Sequence, residues 1–283
     1  YEYSNNSWSQ LGSDIDGEAY GDYSGRSVSM NSAGDRVAIG AYGNDASGSL
    51  AGHVRVYEYS NNSWSQLGSD IDGETEGDYS GTSVSMNSAG DRVAIGAHFN
   101  DGTDSNAGHV RVYEYGNSSW TQLGSDIGGE AVDDNSGTSV SMNSAGERVA
   151  IGAYHNDGTG ISAGHVRVYE YSNSSWTQLG SDIDGEAASD YFGYSVSMDS
   201  AGDRVAIGAY GNDGTGSYAG HVRVYEYSNS SWSQLGSDID GEEAGDRSGV
   251  SVSMDSAGDR VAIGAYLNDG TGTFAGHVRV YEY

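Results

Sequence analysis

Carboxylates are the side chains in this sequence best placed to do chemistry. Asp14, Asp16, Glu18 and Asp22 crowd into one short stretch, and the stretch returns every 56 residues, except that Gly128 replaces the second Asp in the third copy. Carboxylates this dense can wrap a hard cation, with oxygens added by Asn44 and Asp45, so calcium is the one candidate ion and Asp14, Asp16, Glu18 and Asp22 its candidate ligands. The spacing is not that of an EF-hand, and capping of turns by Asp is the more ordinary explanation. No other cofactor is called for.

A second recurring group is His53, His109, His165, His221 and His277. They lie on the third strand of each repeat, two strand spacings or roughly 10 Å out from the innermost one, so they cannot converge on a single ion. A buried hydrogen bond from strand to loop is their expected role. Glycosidase chemistry needs two carboxylates made unlike by their surroundings, whereas these acidic columns recur in every copy. No nucleophile-base pair, nucleotide loop or zinc motif is present, and the chain is expected not to be an enzyme.

The elements that must position these groups follow from repetition. The tripeptide YEY begins at Tyr1, Tyr57, Tyr113, Tyr169, Tyr225 and Tyr281, always 56 residues apart. Forty-five Gly and no Pro, with abundant Tyr, Val and Ser, favour short strands and tight turns. Within one repeat Ser27 to Met30 alternates small polar and apolar residues, Asn31 to Gly34 turns, and Arg36 to Ala41 continues as RVAIGA. His53 to Tyr59 alternates again, and Trp64 to Leu67, the counterpart of Trp8 to Leu11, is a fourth strand. The acidic stretch Ser13 to Ser24 reads as loop. Arg36 and its equivalents follow an acidic residue and are expected in structural ion pairs or turn bonds.

Four antiparallel strands repeated about a ring describe an all-β, five-bladed β-propeller. Its expected blades are 25–80, 81–136, 137–192, 193–248, and 249–283 joined by 1–24, in one domain over 1–283. The N-terminal outer strand is expected to close the ring on the last three strands, which dispenses with capping repeats.

The text SVSM, a turn with Gly-Asp, VAIGAY and GHVRVYEY resembles the FG-GAP repeats of integrin-α-like propellers, with Phe192-Gly193 supplying the literal FG and Ile39 to Tyr42 standing at the GAP-like ending. The resemblance covers all five copies and implies adhesion or recognition outside the cell. Calcium is not carried over to the first hairpin, because Met30 to Asp35 offers a single carboxylate. Integrin-like heads have seven blades, and this text supplies five.

Differences among the copies fall in two loops at one end of the sheets. The loop after strand four carries Tyr20, Glu76, Val132, Ala188 and Ala244, then Arg26, Thr82, Thr138, Tyr194 and Val250, with Tyr23, Tyr79, Asn135, Tyr191 and Arg247 between. The loop from strand two to three carries Gly43, Phe99, His155, Gly211 and Leu267, then Leu50, Asn106, Ser162, Tyr218 and Phe274. The candidate ligand contacts on this face are Tyr20, Arg26, Phe99, His155, Tyr194, Tyr218, Arg247, Leu267 and Phe274.

Charge narrows the partners. Forty-one acidic residues against 12 Arg give a net charge of −29, which repels phosphate backbones and anionic headgroups, so neither nucleic acid nor membrane insertion is expected. Without Cys there is no disulfide or thiolate site. The leading reading is a monomeric, acidic, extracellular or cell-surface binding and adhesion module for glycan or protein ligands. The alternative is a structural, recently amplified or designed repeat protein with no ligand of its own.

Overall fold

The computed structural model describes residues 1–283 and is all-β, with no helix long and apolar enough to cross a membrane. A short hairpin comes first, β1 (Glu2–Ser4) and β2 (Ser7–Ser9). The first blade follows as β3 (Ser27–Met30), β4 (Arg36–Ala41), β5 (His53–Ser60), β6 (Ser63–Gln66) and β7 (Ile71–Asp72). The second is β8 (Ser83–Met86), β9 (Arg92–Ala97), β10 (His109–Gly116), β11 (Ser119–Gln122) and β12 (Ile127–Gly128). The third is β13 (Ser139–Met142), β14 (Arg148–Ala153), β15 (His165–Ser172), β16 (Ser175–Gln178) and β17 (Ile183–Asp184). The fourth is β18 (Ser195–Met198), β19 (Arg204–Ala209), β20 (His221–Ser228), β21 (Ser231–Gln234) and β22 (Ile239–Asp240), and the fifth is β23 (Ser251–Met254), β24 (Arg260–Ala265) and β25 (His277–Glu282).

Local chemistry sets each blade. Asn31 Oδ1 accepts from the backbone N–H of Asp35 and Arg36 at 3.1 and 3.0 Å, closing the β3-β4 turn, and Asp199 Oδ1 does the same for Asp203 and Arg204. The Asn-to-Asp change between copies keeps these two acceptor bonds but loses the 2.7 Å bond that Asn31 Nδ2 donates to Asp35 Oδ1. Arg36 makes a cross-strand ion pair, its Nε and Nη2 donating to Glu58 Oε1 at 2.9 and 2.7 Å. The outer position is split, since β6 pairs with the Tyr57–Ser60 half of β5 and β7 with His53 and Val54. Part of the stretch read as loop is thus a strand, reached after Gly68 turns the chain at φ +79°.

Blades then pack on one another through both their polar and apolar residues. Ser27 Oγ donates to Gly81 O at 2.7 Å and Ser29 Oγ accepts from Met86 N–H at 2.9 Å, so the serines of SVSM face the next blade. Gly40 must lack a side chain there, because a Cβ would fall 2.1 Å from Gly81 O. Ala38, Val54, Val56 and Ile71 of one blade bury against Val84, Met86, Val93, Ile95 and Trp120 from the second blade. The pattern repeats at the next two junctions and, without a tryptophan, at the fourth. Trp120 Nε1 donates to Leu67 O at 2.7 Å, tying the outer strand of the second blade to that of the first.

The inner strands stand in the order β3, β8, β13, β18, β23 about a common axis, and all five blades line the opening at each end. The five-bladed β-propeller read from the repeat is the observed fold. Its closure differs from the expectation. β23, β24 and β25 form a three-stranded sheet, while β2 pairs with β1. The reason lies in the sequence: β1 repeats the Tyr-Glu-Tyr text of β25, and it meets β2 with Tyr3 opposite Trp8 and Glu2 opposite Ser9, the register that Tyr59 and Glu58 use toward Trp64 and Ser65. That side of β2 is already paired. Residues after the hairpin are held to the first blade, where Trp64 Nε1 donates to Leu11 O and Arg55 Nη2 to Asp16 O.

Candidate functional site

One end of the axis opens into a cavity of about 450 Å³ lined by Arg26, Thr82, Thr138, Tyr194, Val250 and Tyr266. A second cavity, about 310 Å³, adjoins it between Arg26, Tyr42, Tyr79, His98, Phe99, Tyr154 and Tyr194. An aromatic belt runs around this mouth. Tyr23 stacks on Tyr42 with centroids 5.2 Å apart, Tyr42 meets Tyr79, and Tyr79 meets both His98 and Phe99. Farther round, Tyr191 stacks on Tyr210 at 5.0 Å, while Tyr194 stands edge-on to Tyr154 and Tyr210. Arg247 continues the belt, its guanidinium 5.6 Å from the rings of Tyr210 and Tyr218 and its Nη1 donating to the Tyr266 hydroxyl at 2.9 Å. Burial among Tyr191, Tyr194 and Tyr154 pushes the Tyr210 hydroxyl up to about 12, and burial beside Arg26 and His155 takes His98 down to about 4. Both groups are neutral at pH 7.

Two backbone positions per blade set the belt's outline. Tyr23, Tyr79, Asn135, Tyr191 and Arg247 all have φ between 53° and 56°, and Leu50, Asn106, Ser162, Tyr218 and Phe274 between 50° and 56°. These are two of the most variable columns of the repeat. The left-handed region costs a large side chain roughly 1–2 kcal/mol, a cost Gly avoids and Asn lessens.

The candidate ligand contacts separate accordingly. Arg26 and Tyr194 line the mouth, Phe99 lines the adjoining cavity, and His155 packs edge-on against Tyr154 and beside Tyr191. Arg247 and Tyr218 touch each other at the rim. Tyr20 and Phe274 project into solvent, and Leu267 is half-buried with its N–H on Asp246 O. Sequence reasoning missed Tyr42, Tyr154, Tyr210 and Tyr266, because a tyrosine near-constant among copies reads as framework. Tyr23, Tyr79 and Tyr191 were visible as a variable column.

Of the candidate metal ligands, Asp22 is buried, accepting from Ala19 N–H at 3.0 Å and Asn44 Nδ2 at 3.2 Å, and Asp14 accepts from Gln10 Nε2 at 2.8 Å. Asp16 offers its backbone carbonyl to Arg55. Glu18 turns instead to the first blade, where it meets His53 and Asp70. The same trio recurs as Glu74, His109, Asp126; Glu130, His165, Asp182; and Glu186, His221, Asp238. The strand-to-loop hydrogen bond expected of these histidines is not made: both ring nitrogens of His53 and His221, and Nε2 of His109 and His165, are buried without a partner. The sequence signal was present, since Glu, His and Asp recur in step, but the third member comes from a different repeat than the first.

Residues 182–225, from Asp182 through β18 and β19 to Tyr225 in β20, match a known family. The family is that of the FG-GAP repeat. The match falls on the copy carrying Phe192-Gly193, and it bears out the resemblance read from the sequence, the FG-GAP segment lying inside a propeller of like blades. No curated protein matches the chain. Among solved structures, a candidate 6-phosphogluconolactonase from Bacteroides uniformis superposes with a TM-score of 0.58 at 12% identity, covering 92% of this chain and 72% of its own. Hydrazine synthase from Kuenenia stuttgartiensis gives 0.56 at 12% identity, covering 90% and 70%. These likenesses show the fold alone. They correct one expectation, that the chain is not an enzyme: a protein named for catalysis has the same fold, so a five-bladed propeller gives no ground for that exclusion.

Proposed function

We propose that the aromatic mouth is a recognition surface and that the protein is an extracellular or cell-surface binding module, monomeric, taking glycans by stacking sugar faces on its tyrosines. The observation that carries this reading is the retention of Tyr23, Tyr79, Tyr191, Tyr218, Arg247 and Phe274 at φ near +55°. Drift in an exposed loop favours Gly or Asn at such positions, as Asn106 and Asn135 illustrate, so large side chains kept there at a conformational cost argue for use. Rings held on a rigid scaffold give contact area with little entropy to lose, and the −29 charge favours neutral over anionic partners. Protein ligands met through the same rings are the second class. The FG-GAP repeat supports a binding role and an extracellular setting.

The test is a glycan array probed with the native chain and with a Tyr218→Asn, Phe274→Asn, Tyr194→Ala variant. Binding by the native chain, reduced at least tenfold in a variant that stays folded by circular dichroism, supports the reading. Equal binding by both sinks it. Silence of the native chain removes glycans as the ligand class and leaves a protein ligand or a scaffold without one.

A further inference from the structure

Where the N-terminal segment meets the first blade, the three side chains of the acid-histidine trio come from three places. Glu18 arrives from the segment before the first blade, His53 from the start of β5, and Asp70 from the step between β6 and β7. His53 is 1% exposed, and its Nδ1 lies 3.9 Å from Glu18 Oε2 and 3.9 Å from Asp70 Oδ2. That spacing is too long for a hydrogen bond to either oxygen. A buried nitrogen without a partner, aimed at two carboxylate oxygens, is costly unless something bridges them.

The other oxygen of each carboxylate is already engaged. Gln66 Nε2 donates to Asp70 Oδ1 at 2.5 Å, and Arg55 Nη1 lies 3.3 Å from Glu18 Oε1. Oδ2 and Oε2 are the two left facing the imidazole. Gln122 and Arg111 hold Asp126 and Glu74 in the same way at the second blade, as do Gln178 and Arg167 for Asp182 and Glu130 at the third. Such supporting contacts are what orient ligands around a metal.

We propose that the junction trios, Glu18-His53-Asp70 and its three repeats, bind divalent transition-series cations, zinc or manganese in chemical class. One imidazole and two carboxylates suit those ions, whereas calcium takes oxygen ligands alone. With Nδ1 3.9 Å from each oxygen and the two oxygens no more than 4.8 Å apart, an ion equidistant from the three would sit no more than about 2.5 Å from each in their plane, a small side-chain adjustment from the roughly 2.0–2.2 Å bonds of zinc to imidazole and carboxylate. Arg55 is the one cation facing the trio, and two carboxylates outweigh it. At the fourth blade the balance differs: Arg223 Nε and Nη2 donate to Asp238 at 2.8 and 2.7 Å, and Nη2 also pairs with Glu186. An ion there must displace the guanidinium from a charge-assisted pair, which weakens that site roughly tenfold. At the last blade, Glu242 Oε2 lies 3.5 Å from His277 Nδ1 and no third ligand joins them.

The experiment titrates the chelator-treated protein with Mn²⁺ and with Zn²⁺ by calorimetry, and follows Mn²⁺ by electron spin-echo modulation, which detects nitrogen bound to the ion. The expected result is three equivalent ions and a fourth about tenfold weaker, with imidazole nitrogen modulation. A His53→Gln, His109→Gln, His165→Gln, His221→Gln variant loses them. Should it fail to fold, the Asp70→Asn, Asp126→Asn, Asp182→Asn variant, altered at less buried residues, is expected to lose the three strong ions. Manganese bound without nitrogen modulation, binding unchanged by these substitutions, or no binding at 100 µM of either ion would overturn the proposal. The first two outcomes would place cations on the acidic surface at large.

Discussion

Trp120 and Trp8 are the same residue of the same repeated text, yet one is buried with its indole N–H on Leu67 O and the other is 67% exposed. The contrast extends along the whole interface. Met86 is buried at the junction of the first two blades, whereas Met30 is half exposed; Val110 is buried, whereas Val278 and Val280 at the free side of β25 are each 68% exposed. Between Leu235, Gly236, Tyr281 and Tyr283 there is a cavity of about 210 Å³ where the other junctions place a tryptophan against the equivalent Gly. A repeat therefore has no core of its own. It has two half-faces, and each becomes core only where the next copy supplies the complement.

The largest expected effect follows from the tryptophan pair. Trp120→Ala removes a buried aromatic and leaves Leu67 O without its donor, which costs about 3–5 kcal/mol. Trp8→Ala, at a solvent-exposed position, is expected to change stability by no more than about 0.5 kcal/mol. Urea unfolding followed by tryptophan fluorescence and circular dichroism compares them. Equal losses would mean that Trp8 occupies the 210 Å³ socket in solution and that the ring closes through residues 1–24 after all.

A smaller contrast is expected at the inner strands. Met86→Ala is expected to cost about 2 kcal/mol, from lost burial and the cavity left between the first two blades. Met30→Ala is expected to cost a few tenths, because its side chain has no blade against it. Thermal unfolding of the two variants reads the difference, and a cost at Met30 matching that at Met86 would place β23 against β3.

The repeat's period made the blade count, the strand order and the one variable face legible before any coordinates. Periodicity says what each copy can bury, and that was enough for a fold built of like junctions. It does not say what happens where the copies run out, because β1 and β25 carry the same Tyr-Glu-Tyr text and compete for the same side of β2. The site was half legible for a related reason. Variation among copies exposed Arg26, Phe99 and Tyr194, but it hid Tyr42, Tyr154 and Tyr210, whose near-constancy looks structural until the belt is seen. It also hid the pairing of Glu18 with Asp70, since only packing brings consecutive repeats together.

A third contrast concerns the aromatic face at the same two places. The column that holds Tyr266 near the seam, bonded to Arg247, holds His98 at the first junction, beside Tyr79 and Arg26. Burial takes His98 down to about 4 in the folded protein, against 6.5 for an unperturbed histidine. Between those values the unfolded chain binds the proton and the folded one does not, so stability rises with pH across that window. The contribution is complete above pH 6.5 and is lost as pH falls toward 4. His98→Tyr restores the residue of the other four blades and removes the titration. The gap in melting temperature between this variant and the native chain is therefore expected to widen in the variant's favour from pH 7.5 to pH 4.5. A gap that stays constant would show that His98 is as open to water as a surface histidine, and that the belt at the first junction is no better packed than the seam.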